Sequence, residues 1–117
     1  MTHVARRRRL GSSVVAHAAP VFAALGDPTR LSLMARLGSA GPQSIAQLSE
    51  GSPVTRQAIT KHLNVLGGAG LVHSEKRGRE RIWECDAARL HDAGRFLADV
   101  SNRWDDTLGR LKEYVEK

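Results

Sequence analysis

Apolar positions recur at helical spacing over most of this chain and break once into two strand-length pieces. In the central stretch Thr55 to Leu66, Ile59, Leu63 and Leu66 stand at i, i+4 and i+7. At about 100° per residue they share one face of a helix. Gln57, Lys61 and Asn64 point the opposite way, with Thr60 on their flank and Arg56 beside the N-terminus. Thr55 stands where an N-cap hydroxyl accepts a free first-turn amide. Gly67-Gly68 and Gly70 are expected to end the helix.

Upstream, Ala19 to Leu25 reads as a short helical stretch with Phe22 and Leu25 apolar, stopped by Gly26. Asp27-Pro28 restarts the chain, Asp as cap and Pro at the first helical position, where its missing N–H costs nothing. Leu31, Met34 and Leu37, with Leu33 beside them, predict a helix with a buried face that ends near Gly38. After the Gly41-Pro42 loop, Ser44 and Gln47 have the spacing of a capping box and open a short helix through Ser49. Gly51 closes it. Downstream, Leu71 to Lys76 and Glu80 to Cys85 are strand-length, and Arg77-Gly78-Arg79 connects them as a hairpin. From Ala87 the pattern is helical to the C-terminus. Leu90, Leu97, Trp104 and Leu111 recur every seven residues. Ala93, Val100 and Tyr114 widen the stripe on one side, Leu108 and Val115 on the other.

A short helix, a Gly-containing turn and a longer helix with a polar outer face make a helix-turn-helix, and a hairpin directly after it reads as a wing. The expected fold is mainly α with a β-hairpin wing, a winged helix-turn-helix in the order α-α-α-α-β-β-α. The 117 residues suit one domain. Residues 14–117 are assigned to it, including first and last helices that dimerise, and residues 1–13 to a disordered basic tail. That tail contains Arg6 to Arg9. Such an arm reaches phosphates or a minor groove; as a plain solvated tail it gives only non-specific attraction, the simpler reading.

The net charge of +6 is unevenly distributed. Residues 1–19 carry four arginines and no acid. Residues 55–81 hold six basic residues against two acids, whereas residues 82–117 hold six against eight. A localised positive surface of this kind suits a polyanion. Amides and long cations on a helix face hydrogen-bond base edges and phosphates. Thr55, Arg56, Gln57, Thr60, Lys61 and Asn64 are therefore the candidate contacts on the helix, with double-stranded DNA as the partner. Lys76, Arg77 and Arg79 are the candidates on the wing, where arginine suits the negative potential of a narrow minor groove. A charged hairpin also discourages edge pairing, and a polar helix face is also what any surface helix shows. His62 leans toward the packed side, so boundary packing and a backbone contact stay open for it.

These residues resemble the ArsR-type winged-helix repressors. Phe22-Ala23-Ala24-Leu25-Gly26-Asp27-Pro28-Thr29-Arg30-Leu31 is similar to that family's entry signature. Thr55 to Leu63 resembles its recognition helix; Ala69-Gly70-Leu71-Val72 and Arg77-Gly78-Arg79 resemble its wing entry and wing tip. The resemblance covers about residues 19 to 116. It implies a homodimeric transcriptional repressor on a palindromic operator. The first and last helices would form the interface, with Phe22, Leu97, Val100, Trp104, Leu108 and Leu111 in it. The wide apolar stripe of the last helix also asks for a partner helix.

That family is known for metal sensing. Its cysteine-pair site would fall in Ile45-Ala46-Gln47-Leu48-Ser49-Glu50, which has no thiol. Its other site, on the last helix, would find His91 and Asp92 with no second His following. Adjacent helical residues do not face one way, and zinc takes four ligands. No metal or other cofactor is expected. Cys85 has no resolving partner and reads as a half-buried strand residue. A single cysteine, no 20-residue apolar run and no apolar leader suit a cytoplasmic protein without a membrane span. No Ser, Cys or His sits in a catalytic motif, so an enzyme is not expected. Aromatic residues make up 4% of the chain, too few for an RNA stacking platform. The rival readings are a winged helix used only for protein docking and a metal- or redox-sensing repressor with an atypical site.

Overall fold

The computed structural model describes residues 11–116. They form α1 (Ser12–Leu25), α2 (Pro28–Ala40), β1 (Gln43–Ser44), α3 (Ile45–Ser49), α4 (Arg56–Gly68), β2 (Val72–Arg77), β3 (Glu80–Cys85) and α5 (Ala87–Glu116). Arg6 to Arg9 lie outside the described residues. The architecture is a mainly helical winged helix-turn-helix with a small antiparallel wing.

Local side chains set where three helices begin. Asp27 accepts the Arg30 amide at 3.1 Å, with Pro28 in the first turn of α2. Ser44 Oγ accepts the Gln47 amide at 3.2 Å while the Gln47 carboxamide accepts the Ser44 amide at 2.9 Å, a complete capping box. Thr55 Oγ1 accepts the Ala58 amide at 3.1 Å. Each cap satisfies an otherwise orphaned amide and stabilises its helix by ~1 kcal/mol. At the exits, Gly41 and Gly70 take φ of 79° and 78°, which an L side chain rarely adopts. A Cβ at Gly70 would also stand 3.1 Å from the Arg89 guanidinium of α5.

Leu48, Ile59, Leu63, Leu66 and Leu71 are the most deeply buried large side chains, each under 2% exposed. Val21 and Ala24 of α1, Leu33, Met34 and Leu37 of α2, Val72 and Trp83 of the sheet and Ala93 of α5 close the core around them. The strands pair antiparallel in the order β1-β3-β2. Val72 faces Cys85, Ser74 faces Trp83 and Lys76 faces Arg81. Pleat alternation then puts Val72, Ser74, Trp83, Lys76 and Arg81 on one face.

Several boundaries differ from the pattern reading. α1 begins at Ser12, seven residues before Ala19 and inside the segment read as tail. Ser12 to Pro20 has no fully buried residue, so it leaves no apolar period, and α1 runs through Pro20 although proline removes a helical hydrogen bond. α2 passes Gly38 and is capped at Gly41; α4 includes Gly67 and Gly68 and is capped at Ala69, one residue before Gly70. In each, the glycine with positive φ stands at the exit, Gly41 as the cap of α2 and Gly70 directly after the cap of α4. Leu31 is 52% exposed, so the buried face of α2 is Leu33, Met34 and Leu37. The hairpin loop is Gly78-Arg79, with Arg77 paired to Glu80 inside the ladder. β1 is an unforeseen third strand; its two residues gain strand geometry only by pairing with Ile82 and Trp83.

Candidate nucleic-acid interface

α3, the turn around Gly51 (φ 69°) and α4 form the helix-turn-helix. Burial of Ile59, Leu63 and Leu66 fixes one face of α4 against the core. The opposite ridge is thereby forced outward. Arg56, Gln57, Lys61 and Asn64 are all exposed, and none of their side chains has a hydrogen bond or ion pair among the described residues. Unpartnered donors and acceptors held on a rigid helix are what base-edge recognition needs. Thr55 is exposed too; its oxygen caps the helix while its hydroxyl proton stays available. Thr60 differs. Its hydroxyl donates to the Arg56 carbonyl at 2.9 Å and the side chain is half-buried, so it offers a methyl group and lone pairs.

His62 is turned away from this ridge. Its Nδ1 lies 3.3 Å from Arg30 Nη1 and 3.8 Å from Asp27 Oδ2, both at the start of α2. Of its two open readings, boundary packing is the one the contacts describe. The Arg30 amide holds the Asp27 carboxyl below the usual carboxylate range, against an opposing effect of burial and helped by the Arg30 side chain.

The wing carries its charges on two faces. Gly78 takes φ 63° at the first loop position, as a two-residue type II′ hairpin turn requires. Arg79 beside it is exposed and unpartnered among the described residues. Arg77 lies 3.6 Å from Glu75 on the outer face, so part of its charge is met within the hairpin. Lys76 stands on the other face opposite Arg81, whose guanidinium donates to Ser74 Oγ at 2.9 Å. The acids interleaved with these cations separate the wing from a simple basic patch.

α5 is about 45 Å long at 1.5 Å per residue. It packs on α1 through Ala93 and Phe96, whose ring lies 5.7 Å from that of Phe22. Phe22 therefore has an intramolecular partner. Leu97, Trp104, Leu108 and Leu111 are 55–61% exposed, and Val100 is half-buried beside them. At helical spacing the four exposed residues share one face.

A helix-turn-helix domain model matches residues 25–75, from the end of α1 into the wing. The chain is 38% identical over 93 residues to the HTH-type transcriptional regulator Rv2034 of Mycobacterium tuberculosis, covering 80% of this chain and 83% of that protein. An ArsR-like transcriptional regulator from Rhodococcus sp. RHA1 matches in structure with a TM-score of 0.73 at 40% identity, over 86% of this chain and 94% of that one. The chain belongs to the ArsR family of winged helix-turn-helix regulators. The transcriptional repressor SdpR of Bacillus subtilis is more distant, 25% identical over 88 residues, covering 75% of this chain and 97% of that protein.

In this ArsR-family regulator, His91 and Asp92 are both exposed on α5. Among the described residues no three His, Cys, Asp or Glu side chains gather into a metal-binding group. Burial pushes the Cys85 thiol up, with Asp86 and Glu84 adding to the shift, so little thiolate forms. No described helix is long and apolar enough to cross a membrane. Sequence reasoning missed Arg30, Phe96 and Trp83. Phe96 could have been found from its spacing to Ala93 and Val100; Arg30 stands in the entry signature, but its bridging role left no local spacing, because its partners lie 6 and 32 residues away.

Proposed function

We propose that this regulator is a homodimeric repressor, acting in the cytoplasm on a palindromic double-stranded DNA operator. The observation that carries the reading is the bare ridge of Arg56, Gln57, Lys61 and Asn64 on a helix whose other face is locked in the core. Gln57 and Lys61 read base edges in the major groove, with Thr60 lending its methyl and Arg56 and Asn64 flanking. Thr55 holds a phosphate at the helix N-terminus. Arg79, Lys76 and Arg77 meet phosphates and the adjacent minor groove. The exposed stripe of Leu97, Trp104, Leu108 and Leu111 supports a second copy of the chain as its cover. The repressor role is supported by the likeness to SdpR. Regulation by occupying DNA needs no catalytic step and no cofactor.

The test begins with footprinting on the promoter of the protein's own gene. A dimer presenting both copies of α4 should protect half-sites about 34–36 Å apart on one face of the duplex. Operator and scrambled DNA are then titrated at several salt concentrations. Lys61→Ala should lower the operator-to-scrambled ratio. Arg79→Ala should weaken both and flatten the salt dependence by about 0.9 log unit per phosphate contact removed. An unchanged ratio in Lys61→Ala removes α4 as the reading head.

A further inference from the structure

Arg30 joins the helix that carries the DNA ridge to α1, away from the ridge itself. Arg30 lies in the first turn of α2. Its Nε donates to the carbonyl of Ala24 in the last turn of α1. Its Nη1 lies 3.3 Å from Nδ1 of His62, in the middle of α4. One rigid guanidinium thus bonds backbone on one helix and a side chain on another. A guanidinium can only donate, so the contact is a hydrogen bond when Nδ1 is the bare ring nitrogen and the imidazole proton sits on Nε2. Asp27 holds the same turn in place by capping α2 on the Arg30 amide at 3.1 Å.

The contact matters because of what it constrains. Ile59, Leu63 and Leu66 anchor α4 by apolar packing, which is non-directional and tolerates a small rotation about the helix axis. A hydrogen bond is directional. His62 neighbours Lys61, so a rotation that breaks the Arg30 contact also swings Lys61 and Gln57 across the groove. The other end of the link leads to α5: Ala24 is buried in the same helix as Phe22, whose ring packs on Phe96. We infer that Arg30 is a positioning residue for DNA binding, which fixes the angle of α4 against α1 through His62 and so ties the reading head to the α1–α5 pair.

The inference rests on α4 being the reading head, and the experiment separates the two. Arg30→Gln, His62→Gln and the double variant are titrated with operator DNA in the full chain, at a temperature where circular dichroism shows each one folded. Lys61→Ala runs alongside. Each single variant should lose about tenfold in affinity, the size of a coupling of ~1.4 kcal/mol, and the double variant should lose no more than the worse single. The nitrogen-15 spectrum of the His62 ring should show a bare Nδ1 in wild type and a changed shift in Arg30→Gln. Where Arg30→Gln fails to fold, Arg30→Lys carries the same cycle: it keeps the charge and loses the two-sided fork. Unchanged affinity in the folded single variants, or losses that simply add, overturns the positioning role. If Lys61→Ala still lowers the operator-to-scrambled ratio in that case, only this inference fails. If Lys61→Ala does not, the reading head fails first.

Discussion

The α2–α4 half and α5 leave opposite kinds of atoms uncovered. In the α2–α4 half, Leu33, Met34, Leu37, Leu48, Ile59, Leu63 and Leu66 are buried, and the bare surface is a ridge of amides and cations. In α5, Ala93 is the buried residue, while Leu97, Trp104, Leu108 and Leu111 stand more than half exposed. Both helices have an apolar face; they differ in whether the chain itself covers it. Polar atoms left free on a rigid support suit a polyanion, and apolar atoms left free along a helix suit another apolar face. One chain therefore presents two surfaces of opposite chemistry, linked through α1.

The largest expected effect breaks the comparison at the core. Leu63→Ala removes a fully buried side chain and should cost ~2–5 kcal/mol of folding stability by urea unfolding. Leu108→Ala, at 56% exposure, should leave single-chain stability within ~0.5 kcal/mol. Equal losses that do not change with protein concentration would mean that α5 is covered within one chain, whereas a loss that grows with concentration belongs to the dimer. Next comes association. Sedimentation at micromolar concentration should find a dimer, and Trp104→Glu should weaken it by ~2 kcal/mol or more. A wild-type chain that stays monomeric would undo the reading of the stripe as an interface between copies.

Smaller effects sharpen the polar side. Lys61→Ala should cost roughly 1–3 kcal/mol of operator binding, with its loss of discrimination confined to one position per half-site. Thr55→Ala should cost ~1 kcal/mol of stability through the lost cap, measured by thermal unfolding. The least effect is on pH dependence. Asp27 is held below its ordinary value of 3.8 by the Arg30 amide. A depressed carboxylate stabilises the fold above its unfolded value, and that contribution is lost as pH falls through the folded value. The stability gap between wild type and Asp27→Asn should therefore be present at pH 6 and shrink below pH 4. A gap that stays constant to acid pH would show that the charge on Asp27 contributes nothing to the cap.

The helix starts were legible because their chemistry is local. Asp27, Ser44 and Thr55 each cap an amide three residues away, and such contacts appear in the sequence as spacing. The outward ridge of α4 was legible for the same reason, since a 3.6-residue period fixes Gln57 and Lys61 opposite Ile59 and Leu63 once the helix exists. The start of α1 was not legible, because Ser12 to Pro20 buries too little to leave a period. Leu31 misled because its i, i+3 spacing to Met34 fits a helical face as well as the i, i+4 spacing of Leu33 to Leu37 does, and only the docking direction of α2 tells them apart.

What the sequence determined by itself, then, is everything carried by contacts within a few residues: the caps, the helix-turn-helix order, the hairpin and the chemistry of its tip. The tertiary structure alone decided β1, which exists only by pairing with Ile82 and Trp83. It decided that Phe96 meets Phe22, leaving the heptad of Leu97, Trp104 and Leu111 outside. It also decided that Arg30 bridges Ala24 and His62. A helical period states which residues share a face but not which face meets the core, because that choice depends on elements far away in the chain.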